Sequence, residues 1–146
     1  MSVVVWDGET LAADRQEVCG TTKRSTRKIY KVNDVLLGEV GSSVRCAELR
    51  AWYIAGANPK DFKYLTSQDD YENGAQLIVV KKNGQILEYS NSPHPCVARG
   101  KKQAWGCGSQ VAMAGMKLGL NAKDAVKLAC SLDAFCGMGQ DTLSFL

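Results

Sequence analysis

Ser2 stands between the start methionine and Val3-Val4-Val5-Trp6, a β-branched run that reads as a strand. If Met1 is removed, this one residue carries a nucleophilic hydroxyl and a free α-amine. The α-amine has an ordinary pKa of about 7.7–8.0, so at neutral pH a useful fraction is unprotonated and can take the hydroxyl proton during attack on a carbonyl. The chemistry in prospect is acyl transfer. The plainer alternative is that Ser2 is a small, tolerated residue at a processed terminus.

The elements that would position Ser2 can be read from the chain. Val3 to Trp6 and Thr10 to Ala13 flank Asp7-Gly8-Glu9, a hairpin signal that starts the first strand at the candidate nucleophile. Ile29 to Val32 and Val35 to Val40 flank Asn33-Asp34 as a second hairpin, after which Gly41 breaks the strand and Ser42 or Ser43 caps a helix. That helix runs to about Ala55, with Val44, Ala47, Ala51, Trp52 and Ala55 forming much of one face, and Gly56 and Asn58-Pro59 end it. Lys60 to Asn73 is polar and mixed and receives no assignment. A third hairpin joins Gln76–Val80 to Gln85–Tyr89 through Asn83-Gly84. Pro93 and Pro95 mark an irregular crossing. Two helices follow, Ser109 to about Leu118 and, capped by Asn121, on to about Leu132; Asp141 to Leu146 suits a short closing strand. Strand hairpins, one helix, more strands and then two helices define an α+β class.

Composition bounds the physics. The 146 residues suit a single domain, 1–146, with one core; 45% hydrophobic and 23% charged residues are ordinary for a globular chain. The net charge is only +3, and the basic cluster Lys23-Arg24-Ser25-Thr26-Arg27-Lys28 lacks interleaved aromatics, so it reads first as a solvated loop or strand edge, with a nucleic-acid surface as the minor alternative. Six cysteines are present, Cys19, Cys46, Cys96, Cys107, Cys130 and Cys136, but the N-terminus lacks a signal-peptide layout, so reduced thiols in a cytoplasmic protein are expected. There is no C-x-x-C pair, and the lone His94 sits between Pro93 and Pro95, so no metal motif and no cofactor is expected. No apolar run approaches the roughly 20 residues of a membrane span.

Four blocks, in order, resemble the proteasome β-subunit and HslV-type peptidases, a family of N-terminal-nucleophile hydrolases. Leu11-Ala12-Ala13-Asp14-Arg15 resembles the segment after the family's first hairpin turn, and Arg27-Lys28-Ile29 the basic residue that opens the next strand. Leu37-Gly38-Glu39-Val40-Gly41-Ser42-Ser43 is similar to the strand, glycine turn and helix start, and Ala104-Trp105-Gly106-Cys107-Gly108-Ser109 to the family's later glycine turn. Beyond them, Asn121 to Val126 and Leu132-Asp133-Ala134-Phe135-Cys136-Gly137 read like the last helix and the acidic turn after it. The likeness runs from Ser2 to about Gly139.

The resemblance implies a four-layer αββα sandwich of two stacked antiparallel sheets between helices. It also implies roles. Ser2 matches the nucleophile, usually threonine in the family; Lys28 matches the active-site lysine, Asp14 the carboxylate that pairs with it, and Gly41 the oxyanion glycine. Asp133 is retained, but thiols of Cys107 and Cys136 stand where the family has hydroxyls, and a thiol is the weaker hydrogen-bonding group. The implied activity is cleavage of amide bonds in peptides or unfolded proteins by a homo-oligomeric ring, with an ATPase unfoldase as partner. A chain this short suits a phage or prophage member. Two readings lead, with a basic nucleic-acid-binding module as a weaker third: Ser2, Lys28 and Asp14 favour a peptidase, whereas Cys107 and Cys136 favour a catalytically silent scaffold that binds or regulates a partner.

Overall fold

Every residue of β1 (Val3–Trp6) is buried, and a strand buried on both faces needs cover on both sides. The computed structural model, which describes residues 2–66 and 74–146, supplies that cover with a second sheet on one face of β1 and helices on the other. The first sheet holds β10 (Gln103–Gly106), β1, β2 (Thr10–Asp14) and β11 (Gln140–Ser144) in that order, all antiparallel. The second holds β5 (Ile29–Val32), β6 (Val35–Gly41), β7 (Ala75–Lys81), β8 (Ile86–Tyr89) and β9 (Cys96–Ala98), also antiparallel.

The two-residue period of a strand sorts the side chains between layers. Val4, Trp6, Leu11 and Ala13 point into the space between the sheets and meet Ile29, Leu36, Ile78 and Val80. Val3, Val5 and Ala12 point the other way, onto α2 (Ser109–Lys117) and α3 (Ala122–Leu132), where they meet Ala112, Met116, Val126 and Ala129. On the far face of the second sheet, α1 (Ser43–Ile54) lays Leu49 and Trp52 against Leu37, Leu77 and Val79. The result is α1, sheet, sheet, α2 with α3: the expected four-layer αββα sandwich. The sheets come close at Gly38, where a Cβ would lie 2.8 Å from Val4 Cγ1.

Local chemistry sets the ends of these elements. Asp7 Oδ1 accepts the N–H groups of Glu9 at 2.9 Å and Thr10 at 2.8 Å, closing the first hairpin. Its Oδ2 accepts the Ala122 N–H at 2.8 Å, so the same carboxylate anchors the start of α3. Asn121 caps α3 through Asp124, and Ser42 caps α1 through Arg45.

The structure departs from the sequence reading at several places, including β9 and β10, which received no element there. The buried face of α1 is Arg45, Cys46, Leu49 and Trp52, whereas Val44, Ala47, Ala51 and Ala55 are exposed; the larger side chains, with Arg45 stacked 5.2 Å from the Phe62 ring, turned the helix away from its alanines. Residues 16–25, given no element, form a hairpin of β3 (Gln16–Cys19) and β4 (Thr22–Ser25). The basic cluster is divided: Lys23 and Arg24 lie on exposed β4, with Arg24 paired to Glu17 at 2.7 Å, but Lys28 is buried. Part of the unassigned Lys60–Asn73 stretch, residues 67–73, lies outside the described residues, as does Met1.

Candidate active site

Asp14 ends β2 with its side chain fully buried, which demands that both carboxylate oxygens find donors. Oδ1 accepts the Val3 N–H at 3.1 Å and Lys28 Nζ at 2.8 Å; Oδ2 accepts the N–H groups of Gln16 at 3.2 Å and Gly137 at 3.1 Å. Four donors suit an ionised carboxylate, which accepts only. Lys28, just ahead of β5, also donates to the Gln16 carbonyl at 2.6 Å. The pair therefore joins the two sheets and fixes the first residue of β1.

Ser2 is buried beside this pair, at the head of β1, and its backbone is held from the opposite side by the turn between β10 and α2. Cys107 Sγ donates to the Ser2 carbonyl at 3.3 Å, and the Gly108 N–H reaches the same oxygen at 3.4 Å. Gly106 has φ of +94°, and a Cβ there would overlap the Ser2 carbonyl oxygen. A side chain at 106 would displace Ser2.

A cleft of about 500 Å³ is lined by Ser2, Lys28 and Gly41 together with Glu39 and Arg50. Gly41 ends β6 at φ +100°, and a Cβ there would overlap the backbone of Gly74 and Ala75, so only glycine fits the turn. Glu39 and Arg50 form a two-pronged pair at 2.7 and 2.6 Å, and Arg50 stacks 4.1 Å from the Tyr30 ring. Burial raises the Glu39 carboxyl above its usual range, against the opposing pull of Arg50.

Cys107, Asp133 and Cys136 lie on the other flank of Ser2. The two sulfurs are 3.7 Å apart, and they and an Asp133 carboxylate oxygen all lie within 4.8 Å of one another. Burial, aided by Asp133 and Cys136, pushes the Cys107 thiol up to about 12. The Phe135 N–H and then Cys107 hold the Asp133 carboxyl below its ordinary value. Cys136 is also raised, by its contact with Cys130 and by burial. Asp14, Cys130 and Cys136 form a second close group, but the four donors on Asp14 leave that carboxylate no room for an ion.

Thus Ser2, Lys28 and Gly41 line one cleft with Asp14 buried against Lys28, and Cys107, Asp133 and Cys136 cluster near Ser2. Sequence reading missed Gln16, whose carbonyl holds Lys28 and whose side chain donates to the Ala134 carbonyl at 3.1 Å. It also missed Glu39, Arg50 and Cys130. No motif flags Gln16, because its backbone does the work; the Glu39 to Arg50 spacing crosses the strand-to-helix turn and is visible only once the turn is built.

The fold is that of HslV and proteasome-type proteins. No family model matches the sequence, and no curated protein sequence matches it. Among solved structures, it is similar to a Thiobacillus denitrificans protein described as BPH in complex with epoxomicin, at TM-score 0.72 and 20% identity over 98% of this chain and 97% of that one. It is also similar to the eukaryotic HslV of Trypanosoma brucei, at TM-score 0.65 and 22% identity over 97% of each chain.

Proposed function

We propose that the chain is an N-terminal-nucleophile peptidase that cleaves amide bonds through Ser2 once Met1 is removed. The observation that carries this reading is the buried Lys28–Asp14 pair at 2.8 Å, set against the first residue of β1 in a cleft that Ser2 and Gly41 also line.

Ser2 Oγ attacks the substrate carbonyl carbon while its proton passes to the α-amine of Ser2. Lys28, held by Asp14, disfavours a second positive charge nearby and so keeps that amine available as a base. The carbonyl oxygen becomes an oxyanion that the Gly41 N–H stabilises. Collapse of the intermediate breaks the C–N bond, the leaving amine takes the proton from the α-amine, and an ester remains on Ser2. Water, deprotonated by the same α-amine, then releases the acid. Asp133 and the two thiols line the amine's other side, where they orient it less firmly than hydroxyls would.

The substrates are peptides or unfolded proteins, and the working form is a homo-oligomeric ring served by an ATPase unfoldase. The fold supports this assembly through its likeness to HslV. No helix among the described residues is long and apolar enough to cross a membrane. A second reading, a silent scaffold that binds or regulates a partner, is favoured by one observation: the Cys107 thiol, raised to about 12, makes a poor proton relay. Reaction of the Met1-free protein with a peptide boronate separates them. Inhibition of peptide hydrolysis that is preserved or strengthened in Cys107→Ser supports the peptidase; absence of hydrolysis in both proteins supports the scaffold.

A further inference from the structure

Three side chains from separate parts of the chain converge behind Ser2. Cys107 lies in the turn before α2, Asp133 caps the end of α3, and Cys136 sits three residues later. Their ligand atoms fall within 4.8 Å of one another, and the two sulfurs are 3.7 Å apart. At a zinc–sulfur distance of about 2.3 Å and tetrahedral angles, two thiolates on one ion stand about 3.8 Å apart. The sulfurs are already at that spacing.

We propose that Cys107, Asp133 and Cys136 form a binding site for a soft divalent cation of the zinc class. Two thiolates and one carboxylate give three corners of a tetrahedron and leave the fourth for water, the layout of an open zinc site. Thiolate ligands select zinc over magnesium or calcium, which require oxygen cages. Cys136 is buried and Cys107 is exposed, so the site has a firm back and an open front through which an ion can enter. Asp133 is held in place by the Phe135 N–H at 2.8 Å, so one oxygen is fixed before an ion arrives. Binding replaces the two thiol protons, so one ion enters and two protons leave. Cys130, in contact with Cys136 on the side facing Asp14, supports that sulfur from behind. The site does not depend on the peptidase reading.

Cadmium titration of the fully reduced protein tests this through the ultraviolet thiolate-to-cadmium charge-transfer band, with zinc then added in competition. The expected result is a band that saturates at one ion per chain, is erased by zinc, and is accompanied by release of two protons. Changes outside the ligand shell of a metal site cost about 10–100-fold in affinity, so Cys107→Ala and Cys136→Ala should each weaken binding at least that much. Asp133→Asn keeps both sulfurs and should retain a weaker band, while Cys19→Ala and Cys96→Ala, at exposed positions away from the cluster, should change nothing. Far-ultraviolet circular dichroism on each variant separates loss of the site from loss of the fold. Absence of a band in folded protein with all six thiols free, or a band of full strength in folded Cys107→Ala, overturns the proposal.

Discussion

Lys28 Nζ and Asp14 Oδ1 meet at 2.8 Å with both side chains buried, Asp14 from the end of β2 and Lys28 from just ahead of β5. Asp14 does not depend on Lys28 alone for its hydrogen bonds. Asp14 takes three further N–H groups, from Val3, Gln16 and Gly137, and Lys28 also donates to the Gln16 carbonyl. The two partners should therefore respond differently to removal.

Asp14→Asn leaves the buried lysine without its counter-charge and sets an amide N–H₂ against backbone donors. Breaking a buried pair in this way costs about 3–5 kcal/mol. Urea unfolding should show the midpoint falling with the slope unchanged. Lys28→Met should cost less, because the three backbone N–H groups still satisfy Asp14, yet it should abolish Ser2 reactivity; an equal loss of stability in both variants would show that the pair is purely structural.

Gly106→Ala should disturb Ser2 more than it disturbs the fold. Its Cβ would overlap the Ser2 carbonyl oxygen at a φ of +94°, a strained conformation worth about 1–3 kcal/mol. Peptide hydrolysis should fall by about 10²–10³, the cost of misplacing a catalytic donor, while the urea midpoint shows only the modest loss. Unaltered hydrolysis would mean that the turn does not position Ser2.

Cys46 gives the protein a dependence on alkaline pH. Burial pushes its thiol up to about 12 from an ordinary 9.0. Between those values the unfolded chain has lost this proton and the native state keeps it, so unfolding releases a proton and stability falls as pH rises. The slope for one such group is at most about 1.4 kcal/mol per pH unit. Urea midpoints measured upward from pH 8 should decline, and Cys46→Ala should flatten the decline. A slope identical in the two proteins would contradict the assignment.

Self-association should be visible by light scattering at micromolar concentration. Trp52, Tyr53 and Ile54 are consecutive on α1 and cannot all face the core. Trp52 is buried, Ile54 is 51% exposed, and Val44 on the same helix is 70% exposed. Val44→Glu and Ile54→Glu should reduce the mass of any assembly built on this face, and a monodisperse monomer would count against the ring.

Much of this architecture was legible because its elements carry their own signals. The first hairpin announces itself in Val3 to Trp6, Asp7-Gly8 and Thr10 to Ala13, and α3 in Asn121 and the spacing of Ala122, Ala125, Val126 and Ala129. What stayed hidden lacks a buried face or depends on a distant partner. Every residue of β4 is exposed, so no alternation marks it. β10 is a strand only because Ala104 and Trp105 pair with Val5 and Val4, nearly a hundred residues earlier. The face of α1 was misread because its alanines share helical spacing with Trp52, and nothing local says that Arg45 will be buried over Phe62. Asp14 and Lys28 became partners on paper only through the resemblance, since the contact between them is set by the stacking of two sheets.

Whether Ser2 is the attacking residue is tested most directly with epoxomicin, with which the T. denitrificans protein was solved. Intact mass and peptide mapping before and after exposure read both the removal of Met1 and the site of any adduct. The expected result is Met1-free protein that gains a single adduct on the Ser2 peptide, with no adduct in Ser2→Ala or Lys28→Met. Met1 fully retained in protein made in a normal cytoplasm, or equal labelling of wild type and Ser2→Ala, would contradict it.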